Sequence, residues 1–442
     1  MCEPLKLGLA GLGTVGVSVI KRLEALDHEL AQKAGRTMQI TAITARSRNK
    51  DRGVELSAFE WFDDPVALAK SDSIDVFVEL IGGDNGPAEA SVRAALESGK
   101  HVVTANKALL AKHGNALARL AEENGVSLNF EAAVAGGIPV IKALREGLTS
   151  NNISRVYGIM NGTCNYILTR MEEDGISFED CLADAQRLGY AEADPTFDIE
   201  GNDTAHKLAI LTSLAFGTEI DAESIFLEGI TSISIADIMA ADDLGFRIKL
   251  LGVAQKTNSG IEQRVHPTMV PKESEIAQVS GVTNGVAIDG DAVGSITLAG
   301  PGAGGDATAS AVVADIIDIA RGLKVAPLGR PVSALKPYSS SSLGTHEGGY
   351  YIRLTVKNRP GAFASIASRM AECEISLESI VQRRGRSRIV ETDVNSLSQE
   401  KPKDVILLTY ETTEEAVRKA LDAIEKDGHI LASPQMIRIE RL

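Results

Sequence analysis

The stretch LKLGLAGLGTVGVSVIKRLEAL, residues 5–26, decides how the first third of this chain folds. Its opening residues, LKLGLA, are almost wholly apolar, as a short strand buried in a sheet must be. From Val17 onward the apolar residues Val17, Ile20, Leu23 and Leu26 recur at the spacing of one helix face. Between strand and helix lies Gly11-Leu12-Gly13-Thr14-Val15-Gly16, a GxGxxG run in which each glycine has a physical task. The first permits a tight turn, the second lets backbone approach a pyrophosphate, and the third lets helix and strand pack closely. The helix N-terminus adds free N–H groups and the positive end of a dipole. Gly11, Gly13, Thr14, Val15 and Gly16 are therefore expected to hold a dinucleotide.

The next strand, QITAITA, runs into Ala45-Arg46-Ser47-Arg48. An acidic residue at this point takes the ribose 2′-hydroxyl of NAD, whereas a forked guanidinium suits a 2′-phosphate. Arg46 thus points to NADP(H), with NAD(H) as the alternative. The alternation continues through strand SIDVFVELIGG, a helix over 87–98, strand HVVTANK, a helix near 108–123 and strand VSLNFEAAV. Residues 1–135 read as a doubly wound parallel sheet of the Rossmann type. Lys107 closes VVTANK at the carboxyl end of a strand, where open α/β sheets bind ligands. It can reach cofactor or substrate, or point from a first helical turn into water.

At 442 residues the chain calls for two or three domains, and 44% apolar with 24% charged residues is the balance of a soluble globular protein. A formal charge of −15 without a basic face argues against a nucleic-acid partner. No apolar run is long enough to span a bilayer, so no membrane partner is expected. The first residues lack the layout of a signal peptide, and the four cysteines are widely spaced. The expectation is a cytoplasmic protein with reduced thiols.

Residues 136–305 change character, to strands such as SRVYGIM separated by Gly-rich turns and long helices, and imply a mixed α+β unit. Within RLGYAEADPTFDIEGNDTAHKLAIL, residues 187–211, Glu192, Asp194, Asp198, Glu200 and Asp203 crowd together ahead of Lys207. Asp203 and Lys207 are four apart, on one helix face. Such acids favour a cationic group, for example the ammonium of an amino acid, and keep the lysine protonated. A lysine able to give or take a proton beside orienting carboxylates suits reversible carbonyl reduction. His206 lies about 100° round an ideal helix from Lys207 and reads as structural. Cys164 has no neighbouring base or cation and makes a poor nucleophile. Near residue 300, GPGAGGDATASAVVAD is a second Gly loop opening a helix. It either presents N–H groups to a ligand or carries the chain back, over 306–332, to complete the first domain.

Residues 333–349, SALKPYSSSSLGTHEGG, are polar enough to be an exposed linker. Residues 350–442 then give strand, helix, strand, strand, helix, strand, with a capping-box match at Thr412–Glu415. That order is a ferredoxin-like module, able to bind a small molecule, to meet a partner or to dimerise.

GLGTVG, TANK, NGTCNYIL, GYAEADPTFDIEGNDTAHK and GPGAGGDATASAVVAD, in this order, resemble the homoserine dehydrogenases of the monofunctional bacterial type. NRPGAFASIA resembles the ligand-binding turn of their C-terminal ACT domain, although Asn358 and Arg359 stand where an acidic residue is often found. The resemblance covers the whole chain and implies interconversion of aspartate 4-semialdehyde and homoserine with NAD(P)H, for threonine, methionine and isoleucine. It implies that Glu192, Asp198 and Asp203 hold the substrate, that Lys207 donates the proton, and that Lys107 lies beside nicotinamide and reacting oxygen. Gly302 would touch the cofactor. FEAAVAGGIP resembles a sodium-binding loop, with Glu131, Val134, Gly136 and Ile138 around the ion. Gly361, Ala362 and Phe363 would receive a threonine effector. A homo-oligomer, dimer or tetramer, built partly through the catalytic and dimerisation domain is also implied.

Overall fold

The computed structural model describes residues 3–341, 344, 346–357, 359–382 and 403–440; Asn358 lies outside them. The first sheet is parallel throughout. It contains β1 (Leu5–Ala10), β2 (Met38–Thr44), β3 (Glu60–Phe62), β4 (Val76–Glu79), β5 (His101–Thr104) and β6 (Leu128–Asn129), in the order β3-β2-β1-β4-β5-β6. The order reverses direction between β1 and β4, which opens a crevice above the carboxyl ends of those two strands. The sixth strand is shorter than its apolar run suggests. The backbone N–H of Glu131 donates to the buried Asp315 carboxylate, and the chain turns there into a single 3-10 turn, Glu131–Ala133. Helix Gly305–Ala320 lays Ala309, Val312, Val313 and Ile316 against Val19, Ile20 and Leu23 of helix Thr14–Ala25. The chain thus returns to the nucleotide sheet after residue 305.

The second sheet has eleven strands. They are β7 (Ile153–Ile159), β8 (Phe226–Leu227), β9 (Phe246–Thr257), β10 (Gly260–Pro271), β11 (Thr283–Gly290), β12 (Gly294–Pro301), β13 (Glu347–Val356), β14 (Leu377–Gln382), β15 (Lys403–Thr409), β16 (Thr412–Thr413) and β17 (Gln435–Ile439). Their order is β12-β11-β7-β9-β10-β17-β13-β15-β14, with β8 on β10 and β16 on β13. The last four strands of that path are antiparallel to one another and, with helices Ala362–Glu372 and Glu414–Lys426, have the ferredoxin-like order.

Two expectations are corrected here. Much of the described part of 333–349 is exposed, as expected, but it is not a free linker. Lys336 accepts from the Glu219 N–H, Ser339 accepts from the Ile261 N–H, and Ser341 donates its N–H to the Ile261 carbonyl, while β13 already begins at Glu347. The reason is the outer edge of β10, whose backbone groups need partners. Three segments supply them in turn: Ser339–Ser341 at Ile261, β8 at Arg264 and Val265, and β17 at Thr268 and Met269. The C-terminal module is therefore continuous with the middle sheet rather than hung from it. The helix after β16 is capped one residue later than expected, by the Thr413 side chain on the Ala416 N–H. Among the described residues no helix is long and apolar enough to cross a membrane.

Candidate active site

Three strand-to-helix turns and one acidic loop converge beside the crevice. At the end of β5, Asn106 accepts the Leu109 N–H and caps helix Lys107–Glu123, which places Lys107 at the first helical position. Asn106 also donates to the Gly83 carbonyl. Buried Glu79 accepts from the Thr104 hydroxyl and from the N–H groups of Ile81 and Gly82, so the loops after β4 and β5 are tied together. Glu79 escapes a reading by motif; its one signal is a carboxylate ending an apolar strand.

At the end of β7, Asn161 caps helix Gly162–Asp174 by accepting the Cys164 N–H at 2.8 Å. The acidic loop leads into helix Asn202–Phe216, with Asp203 in its first turn and Lys207 one turn on. Asp203 is the hub. Its Oδ1 lies 3.0 Å from Lys107 Nζ and its Oδ2 lies 2.8 Å from Lys207 Nζ. Lys207 Nζ also donates to the Met160 carbonyl at 2.6 Å. The Asn161 side-chain N–H groups reach Asp203 Oδ2 and Asp198 Oδ1, each at 2.8 Å. Lys107, Asp198, Asp203 and Lys207 are thus brought together, from elements up to a hundred residues apart. Glu192 is not: it is exposed, and among the described residues its carboxylate has no ion pair or hydrogen bond.

Burial would raise the Asp203 carboxyl, but the ammonium groups of Lys207 and Lys107 more than offset it and hold Asp203 well below the usual carboxylate range. Burial lowers Lys207 from the ordinary lysine value, against the opposing pull of Asp203, and the charge of Lys107 lowers it further. Asp198 is raised, by burial first and then by the negative charge of Asp203. Burial pushes the Cys164 thiol well above its ordinary value, and its Sγ donates to the Asp198 carbonyl, so it is no thiolate nucleophile. The His206 ring stands edge-on to Phe197, with centroids 5.3 Å apart.

The crevice glycines divide their tasks. At Gly11, φ is +106° and a Cβ would fall 2.4 Å from the Leu80 carbonyl oxygen; at Gly16 it would fall 2.1 Å from that of Gly11. At Gly13 a Cβ would meet nothing within 4 Å, which leaves its backbone open to a ligand. Thr14 begins the helix behind it, and Val15 packs into the core of this sheet. Gly302 is not at this loop. It is wedged between Asn284 and Gly136, and Gly305 is the residue that lies against Thr14 and Ser18. Arg46, two residues past the end of β2, is exposed and, among the described residues, without an ion pair, while Arg48 lies over the Trp61 ring. Arg52 donates to the carbonyls of Leu12, Ser47 and Lys50, and so bolts the basic loop to the glycine loop.

In the loop after β6, the Glu131 carboxylate accepts from the N–H groups of Ile141 and Lys142, and burial with the nearby Asp315 charge raises it to about 7. The Ile138 carbonyl accepts from Val140, whereas those of Val134 and Gly136 accept no hydrogen bond among the described residues. No group of three or more His, Cys, Asp or Glu that could hold a metal ion occurs among the described residues. In the C-terminal module, Gly361 precedes helix Ala362–Glu372 with φ +90°, the Ala362 N–H is taken by the Arg359 carbonyl, and Phe363 is exposed.

Comparison with known proteins gives the family. A family model described as homoserine dehydrogenase matches residues 139–317, and one described as its NAD binding domain matches residues 11–131. A homoserine dehydrogenase of Pseudomonas aeruginosa is 45% identical over 448 residues, covering 100% of both chains. The crystal structure of a homoserine dehydrogenase from Thiobacillus denitrificans superposes with a TM-score of 0.91 at 42% identity over 99% of each chain. A hyperthermophilic archaeal homoserine dehydrogenase in complex with NADPH superposes with a TM-score of 0.64 at 27% identity, over 73% of this chain and 99% of that one. The chain belongs to the homoserine dehydrogenases, NAD(P)-dependent oxidoreductases that act on a CH–OH group.

Proposed function

We propose that this chain reversibly reduces L-aspartate 4-semialdehyde to L-homoserine with NADPH, on the route to threonine, methionine and isoleucine. The observation that carries the reading is Asp203, with one oxygen on each of Lys107 and Lys207 at the end of the nucleotide crevice. When bound, the nicotinamide supplies a hydride to the aldehyde carbon. Lys207 gives the proton to the oxygen: Met160 and Asp203 take two of its N–H groups, which leaves the third for substrate. Its lowered pKa makes that ammonium a better acid than an exposed lysine. In the oxidative direction the neutral amine takes the hydroxyl proton back. Lys107, half-buried, orients the reacting oxygen from the nicotinamide side. Asp198 and Asp203 take the substrate ammonium, and its charge offsets the cost that Asp198 bears when ionised. Glu192 joins them on binding, from its exposed position on the loop.

Arg46 takes the 2′-phosphate, with the open backbone at Gly13 meeting the pyrophosphate. A sodium ion in the loop after β6 would be held by the carbonyls of Val134, Gly136 and Ile138. The Glu131 carboxylate is engaged with backbone N–H groups and supports that loop. Threonine would regulate from the C-terminal module, which acts as an ACT domain, through the N–H groups of Gly361 and Phe363. The enzyme is cytoplasmic and a homo-oligomer, dimer or tetramer.

The test follows NADPH absorbance with purified protein and L-aspartate 4-semialdehyde. Consumption that depends on the semialdehyde, and NADP+ reduction by L-homoserine, are expected. A protein that binds NADPH but turns over neither substrate would refute the reading.

A further inference from the structure

We propose that Asn161 is a positioning residue for this reaction: a neutral clamp that holds Asp198 and Asp203 against one another and so sets the aim of Lys207. The inference rests on the function proposed above and adds a residue to it. Four observations on one turn carry it. The Asn161 Oδ1 atom is committed to the Cys164 N–H at 2.8 Å, which fixes the amide orientation and points the NH2 group at the carboxylates. That NH2 group then donates to Asp198 and Asp203 together, each at 2.8 Å. The residue before it, Met160, offers its carbonyl to Lys207 at 2.6 Å. Asn161 itself is only 5% exposed, so water is a poor substitute for its two donors.

The clamp explains how two carboxylates can share a buried pocket. Their mutual repulsion is the second cause of the raised Asp198 value, and the amide of Asn161 is the largest influence opposing it. A cation in its place would neutralise the charge that draws the substrate ammonium. A carboxylate would add to the negative charge on Lys207 and bind its proton more firmly. A neutral two-hydrogen donor does neither. Lys207 is faced by Asp203 from its own helix, by Lys107 from the helix after β5, and by Asp198 from the acidic loop. Asn161 contacts the two acids of that set.

Two variants separate this role from helix capping. Serine caps helices as well as asparagine but cannot reach two carboxylates, so Asn161→Ser should keep the helix start and fold, with a thermal midpoint lowered only by the two lost donor bonds. Its kcat/KM for L-homoserine should fall on the order of 100-fold, the effect of misplacing a reacting group by about 1 Å, with KM for NADP+ unchanged. Asn161→Asp keeps the cap and adds a charge. The acid limb of its kcat/KM profile for homoserine oxidation, which follows deprotonation of Lys207, should move up by about one pH unit or more. Wild-type kcat/KM in folded Asn161→Ser, or an unmoved acid limb in Asn161→Asp, would overturn the proposal. A wild-type enzyme inert toward L-homoserine would instead refute the underlying function, so the two failures are distinct.

Discussion

The six-stranded sheet and the eleven-stranded sheet both bury apolar side chains, but the second also buries charged ones in mid-strand. Inside the first lie Leu7, Leu9, Ile43, Phe77, Val78 and Val103, and its buried polar side chains Thr44, Glu79, Thr104 and Asn129 come only where strands end. Inside the second, β10 alone buries Glu262, Gln263, Arg264, His266 and Thr268. Arg264 meets Glu262 on its own strand and Glu440 from 176 residues away, and Glu440 also meets Arg155 of β7. Arg438 of β17 reaches Glu414 and Glu228. A sheet with an apolar interior can carry chemistry at its strand ends and leave its interior alone. A sheet that also buries charges in mid-strand depends on distant partners for them, and here the partners join the C-terminal module to the middle one.

The largest effect should come where the two sheets meet. Lys207→Ala removes the proposed proton donor while leaving the crevice glycines untouched, so turnover should fall ~10²–10⁴-fold, with NADPH affinity by fluorescence titration nearly unchanged. Near-normal turnover would break the assignment of Lys207 and leave Lys107 as the donor.

The next tests the charged interior. Glu440→Gln leaves Arg264 and Arg155 short of a counter-charge and should cost about 3 kcal/mol in urea unfolding. The exposed Glu97→Gln, in the first domain, should stay within about 0.5 kcal/mol. Equal losses would erase the contrast between the sheets. For the same reason a chain ending near residue 340 uncovers β10 and strips Arg264 of Glu440, so threonine regulation is better tested on the full chain.

A third concerns pH. Lys249 of β9 is buried, donates to Asn165 and to the Val279 carbonyl, and is lowered by burial from 10.5 to about 8. A lysine with a depressed folded-state value penalises the fold while protonated. The penalty is full below about pH 8, fades as pH rises, and is gone above the unfolded value of 10.5. Unfolding free energy should therefore rise through that window, with a contribution on the order of 1–3 kcal/mol, and Lys249→Met should flatten the rise. An unchanged slope would show that the lysine is solvated in the fold.

The smallest sharpens the first sheet. Arg46→Ala should weaken NADP(H) about ten-fold and NAD(H) hardly at all, since one charge-assisted bond is lost and nothing in the interior moves. Equal weakening of both cofactors would remove Arg46 from phosphate recognition.

Legibility follows the same division. Strands β1, β2, β4 and β5 and helices Thr14–Ala25, Pro87–Glu97 and Lys107–Glu123 stand where the apolar runs place them, because each element's own period reports its burial, whereas β3 and helix Pro65–Ala69 go unread. β6 is shorter than its apolar run because Asp315, far along the chain, captures the Glu131 N–H. The acidic stretch announced a cation site, but Glu192 and Asp198 look alike in sequence, and only Asp198 is folded inward. Asn161 opens the NGTCNYIL run that carries part of the resemblance, while its grip on two acids 37 and 42 positions away is not written in that run.

By itself the sequence determined the dinucleotide crevice, the family and the Asp203–Lys207 pair, since all three rest on spacings within a turn or a motif. Tertiary structure decided the rest. It brought Lys107 to the free oxygen of Asp203, turned Asn161 toward the acids, and set β17 beside β10. The reason is physical: periodicity reports which face of an element is buried but not what it is buried against. A charge such as Arg264 acquires its partner only when the chain closes over it.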